Sequence, residues 1–356
     1  MAQKRAQGLL AAIRAKGYDW AVDEAQPLAR LSVKEQRSYL GLSVTEEEMK
    51  ATAAAIKAQT AFAAFQAITA PPAIDWRNNG GNWTTPVKNQ GNCGSCVSFG
   101  TCGTIEARIK IFCKNASMTP DLSEAHLFYC GCGSCCNNGW NFPPALDYCK
   151  NTGVAQESAF PYTPGNQPCK AGLTPYIKLT GWSAVLAVAD RKNVLAAKGP
   201  MVAGMAVYQD FFAYRTGVYR HVSGSLSGYH AICVVGYDDA QRCWICKNSW
   251  DTTWGDGGWF RIGYGECGID TSFAFYDVSL DRCPDGDDCR KFVPYLTRVL
   301  QAARTNPGLR ACLRYYVCRR LPRPICSPAY LNVVRAVLAI LNKCPKYRLA
   351  FCKGLE

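Results

Sequence analysis

Cysteine constrains this chain more than any other residue: there are 21, and none precedes position 93. Residues 71–280 hold 14 of them and residues 281–356 hold 7, so any fold must bring many of these positions close together. An odd total leaves at least one thiol over, or a bridge to another molecule. Charge divides the chain at the same places. Basic and acidic side chains number 9 and 7 in residues 1–70, 16 and 15 in 71–280, and 15 and 5 in 281–356. Of the net +13, the last 76 residues carry +10. Three compositions predict three units, 1–70, 71–280 and 281–356. With 48% apolar and 19% charged residues the chain is globular in type. No stretch reaches the roughly 18 apolar residues of a helical membrane span.

The first unit reads as helical. Leu9, Leu10, Ile13 and Trp20 are spaced loosely along one face, and Glu46 to Phe65 is rich in helix formers. Ser32, three residues before Glu35, makes a capping-box pattern opening another helix. Pro71-Pro72 marks the boundary. No secretory signal is visible in this numbering. The middle unit is rich in Gly, Trp and Tyr. It has one helix-compatible stretch, Ser95 to Phe112, and short β-type runs such as Ala231–Val235 and Trp244–Cys246. Helix first and strands later fits an α+β domain.

Cys96 opens that helix within Gln90-Gly-Asn-Cys-Gly-Ser-Cys96. The free N–H groups and positive dipole of a helix N-terminus favour a thiolate there. By number alone Cys96 is one more half-cystine, but its company argues otherwise. Of three histidines, His230 enters a strand from a Gly-rich loop, and Asn248 follows a second strand. A Cys–His pair gives an activated nucleophile, and a third polar group must orient the ring. His126 reads as a surface or core histidine, and His221 as a loop residue outside the site.

These segments resemble the papain-like cysteine peptidases. The resemblance begins at Asp75-Trp76-Arg77 and Gln90–Cys96. It continues through Leu122-Ser123-Glu124, Cys130, Cys136–Gly139, Tyr162 and Cys169. It closes with Gly228–Ala231, Val235–Tyr237, Asn248-Ser249-Trp250 and Trp254–Trp259, covering about residues 71–280. It implies an α+β, two-lobed fold with a helical left lobe and an antiparallel β-barrel-like right lobe. Cys96 would be the nucleophile, His230 the general base and then acid, and Asn248 the residue holding the imidazole. Gln90 would donate to the oxyanion, and Trp250 would cover the His–Asn bond. The reaction implied is endopeptidase cleavage through a thioester. Val97 replaces the usual aromatic residue after the nucleophile, and Asp251 replaces a common glycine, adding a charge on the leaving-group side. The alternative is a catalytically inactive papain-fold binding or structural protein.

The resemblance also implies an edge at Asn138 and Gly139 that hydrogen-bonds substrate. Trp140, Gly204 and Ser272 would line the pocket for the second residue before the scissile bond, preferring bulky apolar or aromatic side chains. It implies disulfides Cys93–Cys136 and Cys130–Cys169, while Cys267 lacks its usual partner near His221 to Ser225. Cys130, Cys132, Cys135 and Cys136 have the look of a zinc cluster, but with two assigned to bridges a Cys132–Cys135 disulfide is favoured. No metal or cofactor is expected. With Cys96 reduced, the other 20 cysteines could all pair; one bridge tying the tail to the peptidase would settle the odd count in each, and so would free cysteines. Such pairing would place the chain in an extracellular or other oxidising compartment.

Residues 1–70 occupy the place of an inhibitory propeptide, although its usual spaced motif of Glu, Arg, Phe, Asn and Ile is not found. The tail predicts three short helices, Val293–Ala303, Gly308–Val317 and Tyr330–Leu341, stapled by disulfides. Its charge fits either a solvated face or adhesion to an anionic surface or polysaccharide. The expected partners are therefore protein or peptide substrates, the chain's own propeptide and such a surface, with the protein a monomer.

Overall fold

The computed structural model describes residues 2–63, 70–284, 292–320, 322–344 and 347–356. Two compact units result, Met1–Asp281 and Arg282–Glu356.

The N-terminal segment is helical, as its composition predicts, and is built into the first unit. It comprises α1 (Ala2–Ala15), β1 (Ala21–Val22), α2 (Val33–Arg37) and α3 (Glu46–Ala63). Phe65, the expected end of α3, lies outside the described residues. Ser32 and Glu35 form the reciprocal capping box at the start of α2. Leu9, Ile13 and Trp20 are buried in one core with residues such as Met205, Phe211 and Trp254, with Leu10 partly exposed. β1 adds to β5 (Tyr214–Thr216), where Trp20 packs edge-on against Tyr219 of β6 (Val218–Tyr219) at 5.1 Å.

Beyond β2 (Ala73–Asp75) the unit closes around two cores. The first is helical, made by α4 (Cys96–Phe112) and α5 (Phe142–Asn151). From Cys96 to Lys110 α4 is buried on every side. Its buried charges are each answered, as such burial requires: Arg108 meets Asp277 at 2.7 Å and Lys110 meets the Thr84 carbonyl at 2.7 Å. The second core lies against a sheet that also contains β3 (Gly181–Val185), β4 (Met201–Tyr208), β7 (Leu226–Asp238), β8 (Cys243–Lys247), β9 (Trp259–Gly263) and β10 (Phe275–Ser279). Strand order is β3-β10-β4-β7-β8-β9-β6, with β2 on β7 and only the β6–β9 pair parallel. α6 (Val188–Lys198) leads into β4. Cys96, at the head of the buried helix, meets β7 where the two cores adjoin.

Three disulfides staple the helical lobe: Cys93–Cys136, Cys130–Cys169 and Cys132–Cys135. The expectation that all cysteines but Cys96 pair is corrected. Cys102, Cys149, Cys233, Cys243, Cys246 and Cys267 are thiols as well, and all but Cys267 are buried. The five buried ones serve as small apolar core residues, the ordinary use of a buried cysteine.

The second unit has its own core. α7 (Val293–Thr305), α8 (Pro307–Tyr316), α9 (Pro328–Lys343) and a short α10 (Arg348–Lys353) bury Leu296, Leu313, Val337, Leu341 and Phe351 among themselves. Cys312–Cys326 and Cys318–Cys352 staple it. In α9 the buried face is Val334, Val337 and Leu341, with Leu331 and Leu338 half-buried at its margin.

Candidate active site

Burial fixes each member of the site. Ser95 is the N-cap of α4, and Cys96 is its first residue, fully buried. Its sulfur accepts the N–H of Ala231 at 3.4 Å, which brings the head of α4 against β7 beside His230. His230 Nε2–H donates to Asn248 Oδ1 at 2.8 Å, and Ser249 N–H donates to the same oxygen at 2.8 Å. Asn248 is held in turn by its own N–H on the Gly258 carbonyl, 3.0 Å. The other ring nitrogen of His230, Nδ1, is buried and has no partner among the described residues. Trp250 lies over the imidazole at 4.7 Å between centroids and stacks on Phe212 at 5.2 Å. The His–Asn bond is therefore roofed by aromatic carbon.

Gln90 is clamped from both ends. Ser249 Oγ donates to its Oε1 at 2.6 Å, and Tyr162 Oη donates to its carbonyl at 2.8 Å. Its amide Nε2 donates to the Cys93 carbonyl at 2.9 Å and to the carbonyl of Tyr39, from the N-terminal segment, at 3.0 Å. Trp250 Nε1 donates to that same carbonyl at 3.4 Å.

The N-terminal segment occupies the cleft across residues 39–43. Trp140 N–H donates to the Gly41 carbonyl at 2.8 Å, and Ser43 N–H to the Trp140 carbonyl at 2.8 Å, in a parallel bridge. Only glycine fits at 41, because a Cβ there would lie 2.0 Å from the Gly94 carbonyl oxygen. The backbone edge that meets the segment runs through Gly139 and Trp140: a Cβ on Gly139 would lie 2.1 Å from the Gly41 carbonyl oxygen, and the hydrogen bonds to the segment are made by Trp140. Asn138 is exposed, and Gly139 turns its N–H to the Cys135 carbonyl at 2.7 Å. Leu42 enters an apolar recess: a Cβ on Gly204 would lie 2.5 Å from its side chain and 2.7 Å from Phe273. Ser272 is partly exposed in the adjoining groove with Met49 and Phe142.

Burial changes the chemistry of both reacting groups. Burial pushes the Cys96 thiol up to about 12, against the opposing pull of the N–H groups of Ala231, Gly41 and Val97. Burial likewise lowers His230 to about 4, against the support of Asn248. Both residues are therefore neutral with the segment in place.

A family model described as "Papain family cysteine protease" matches residues 70–276. The chain belongs to that family. It is similar to Cysteine proteinase 2 of Entamoeba histolytica, 32% identical over 262 residues, covering 69% of this chain and 77% of the relative. A cathepsin L-like proteinase of Fasciola hepatica is 36% identical over 211 residues, 56% of this chain and 63% of the relative. Among solved structures, proCathepsin B S9 from Trypanosoma congolense aligns with a TM-score of 0.62 at 24% identity, covering 76% of this chain and 96% of that one. Bromelain from Ananas comosus in complex with the E64 inhibitor aligns with a TM-score of 0.50 at 29% identity, covering 59% and 100%. The two-lobed α+β fold is that of the papain family. The protein is a cysteine endopeptidase, and its own N-terminal segment lies across the cleft at residues 39–43.

His126 is a core histidine of this peptidase: Nδ1 accepts the Ala155 N–H at 3.1 Å and burial lowers its affinity for protons. His221 pairs with Asp210 at 3.1 Å and stacks on Tyr208, as a loop residue outside the site. Sequence reasoning gave no role to Ser249, Tyr162 or Phe273, although the first and last adjoin residues singled out. Their value lies in contacts across the fold, which no local pattern carries.

Proposed function

We propose that Cys96 attacks the scissile carbonyl after His230 has taken its proton, with Asn248 holding the ring through Nε2. The oxyanion forms against the Gln90 amide and the Cys96 N–H. Protonated His230 then gives its proton to the departing amine, leaving a thioester. Water, deprotonated by His230, attacks that ester, releasing the acid and restoring the thiol. The observation that best supports this reading is the Tyr39 carbonyl, held 3.0 Å from Gln90 Nε2 where a substrate carbonyl would be polarised. Leu42 in the recess beside Gly204 supports a preference for bulky apolar residues two positions before the cleaved bond, with Trp140 supplying the backbone edge. After removal of residues 1–70, the enzyme should cut peptides with Leu or Phe there and be labelled by an epoxide of the E64 type at Cys96. A preference for Arg at that position would refute the pocket assignment.

We further infer that the protein works in an extracellular or comparable oxidising compartment, since disulfides staple both units. The second unit we read as an adhesion module for anionic surfaces or polysaccharide, on a protein that acts as a monomer. Residues 292–356 contain nine arginines and three lysines against a single acid, Glu356, and arginine's planar fork suits sulfate, phosphate and carboxylate. Salt-sensitive retention of the full protein on heparin or anionic vesicles tests it; retention that ignores salt would count against it.

A further inference from the structure

We propose that Asp251 selects basic residues on the leaving-group side of the scissile bond, a reading that rests on the peptidase activity proposed above. The pro-segment gives the cleft its direction. Leu42 fills the recess beside Gly204, and Gly41 N–H points at the Cys96 sulfur. The Tyr39 carbonyl then reaches Gln90 and the Trp250 indole. The imidazole that protonates the departing amine lies beneath Trp250, so the leaving group emerges on the Trp250 side. Asp251 is the next residue.

Its backbone is held in a conformation that disfavours most side chains, with φ at +70°. The N–H is tied to the Lys88 carbonyl at 3.2 Å. A carboxylate in place of the family's common glycine is therefore kept at a conformational cost, which Asp bears better than most residues. The carboxylate is also aimed. Oδ1 accepts the Thr253 N–H at 3.1 Å and the Thr252 hydroxyl at 3.3 Å, and Oδ2 faces the Asn89 amide at 3.5 Å. Asn89 is itself fixed by the Gly91 N–H on its Oδ1, 2.8 Å.

No described cation pairs with Asp251. The nearby Lys88 turns its amine inward to Asp121 and Glu124, at 2.7 and 2.9 Å. Arg37 and Lys34 are exposed on α2, two and five residues before Tyr39, and neither pairs with Asp251, so the carboxylate's side facing the cleft is left for a substrate. A substrate passing the same wall with Arg or Lys in the first two positions after the scissile bond would bring such a charge to a preset carboxylate.

The test uses the processed enzyme and quenched peptides sharing one acyl half, with Leu two residues before the cut and Arg, Gln or Glu in the two positions after it. An exposed ion pair predicts an Arg-to-Gln ratio in kcat/KM of about threefold to fivefold, falling as salt rises. In Asp251→Asn, which tolerates the same φ, and in Asp251→Gly the ratio should fall to about one. Because the ratio is taken within each variant, a general change in turnover cancels. A flat ratio in the unmodified enzyme, or one that survives both substitutions, overturns the assignment. If no peptide of the set is cut, the peptidase reading itself fails and this one falls with it.

Discussion

The two segments that flank the peptidase domain are built in opposite ways. The N-terminal segment has nearly balanced charge and no cysteine, and it puts Leu9, Ile13 and Trp20 into the enzyme's own core. The tail carries the chain's charge and seven of its cysteines, and it closes a core of its own. A segment that borrows another domain's core can act through burial, because its presence or absence changes the dielectric around the site. A segment with its own core and a cationic surface acts through charge, at whatever partner it meets.

The largest effect belongs to the active site itself. Cys96→Ala should lower turnover of the Leu peptide by at least about 10⁴-fold, measured after removal of residues 1–70. Trp20→Ala and Leu341→Ala then separate the segments. Each removes a fully buried side chain, at a cost of about 2–5 kcal/mol. Trp20→Ala should weaken latency, read as peptide cleavage by the unprocessed chain. Leu341→Ala should lower the melting temperature of the tail and leave cleavage of small peptides as it was.

The lowered His230 makes docking sensitive to pH, with a definite sign. Released from cover, the imidazole returns toward its ordinary value near 6.5, whereas docked it stays neutral down to about 4. As pH falls between those values the undocked form takes up a proton that the docked form does not. The pro-segment therefore loosens by up to about tenfold per pH unit. Peptide cleavage by the unprocessed chain should set in as pH drops through that window and not as it rises. The smallest effect is the tail's. Exchanging exposed Arg298, Arg304, Arg314 and Arg335 for Gln should reduce retention on heparin at low salt by several-fold, with no change in peptide turnover.

How much of this was legible in the sequence follows from how local each signal is. The Cys96 helix, the His230 strand and the Ser32–Glu35 capping box are written in contiguous residues, and the structure shows all three. Two disulfides came with the family resemblance, and the Cys132–Cys135 bridge came from counting what remained. The six extra thiols could not be counted out, because a cysteine facing a core and one facing a partner look alike until the fold is known. Gly139 lies on the edge against Gly41 as the resemblance implied, while the hydrogen bonds of that edge to the segment fall on its neighbour Trp140. Phe273 was hidden because its partner, Leu42, lies more than two hundred residues away in a different segment.

The central claim is that the N-terminal segment blocks Cys96, whose sulfur its Gly41 N–H faces. Labelling with a thiol-reactive epoxide tests it most directly, on the intact chain and after removal of residues 1–70, with the modified residue located by mass. The account predicts no labelling of the intact chain at neutral pH and a single equivalent on Cys96 after removal, the six other thiols staying unmodified. Equal labelling before and after removal, or none at Cys96 in the processed enzyme, would contradict it.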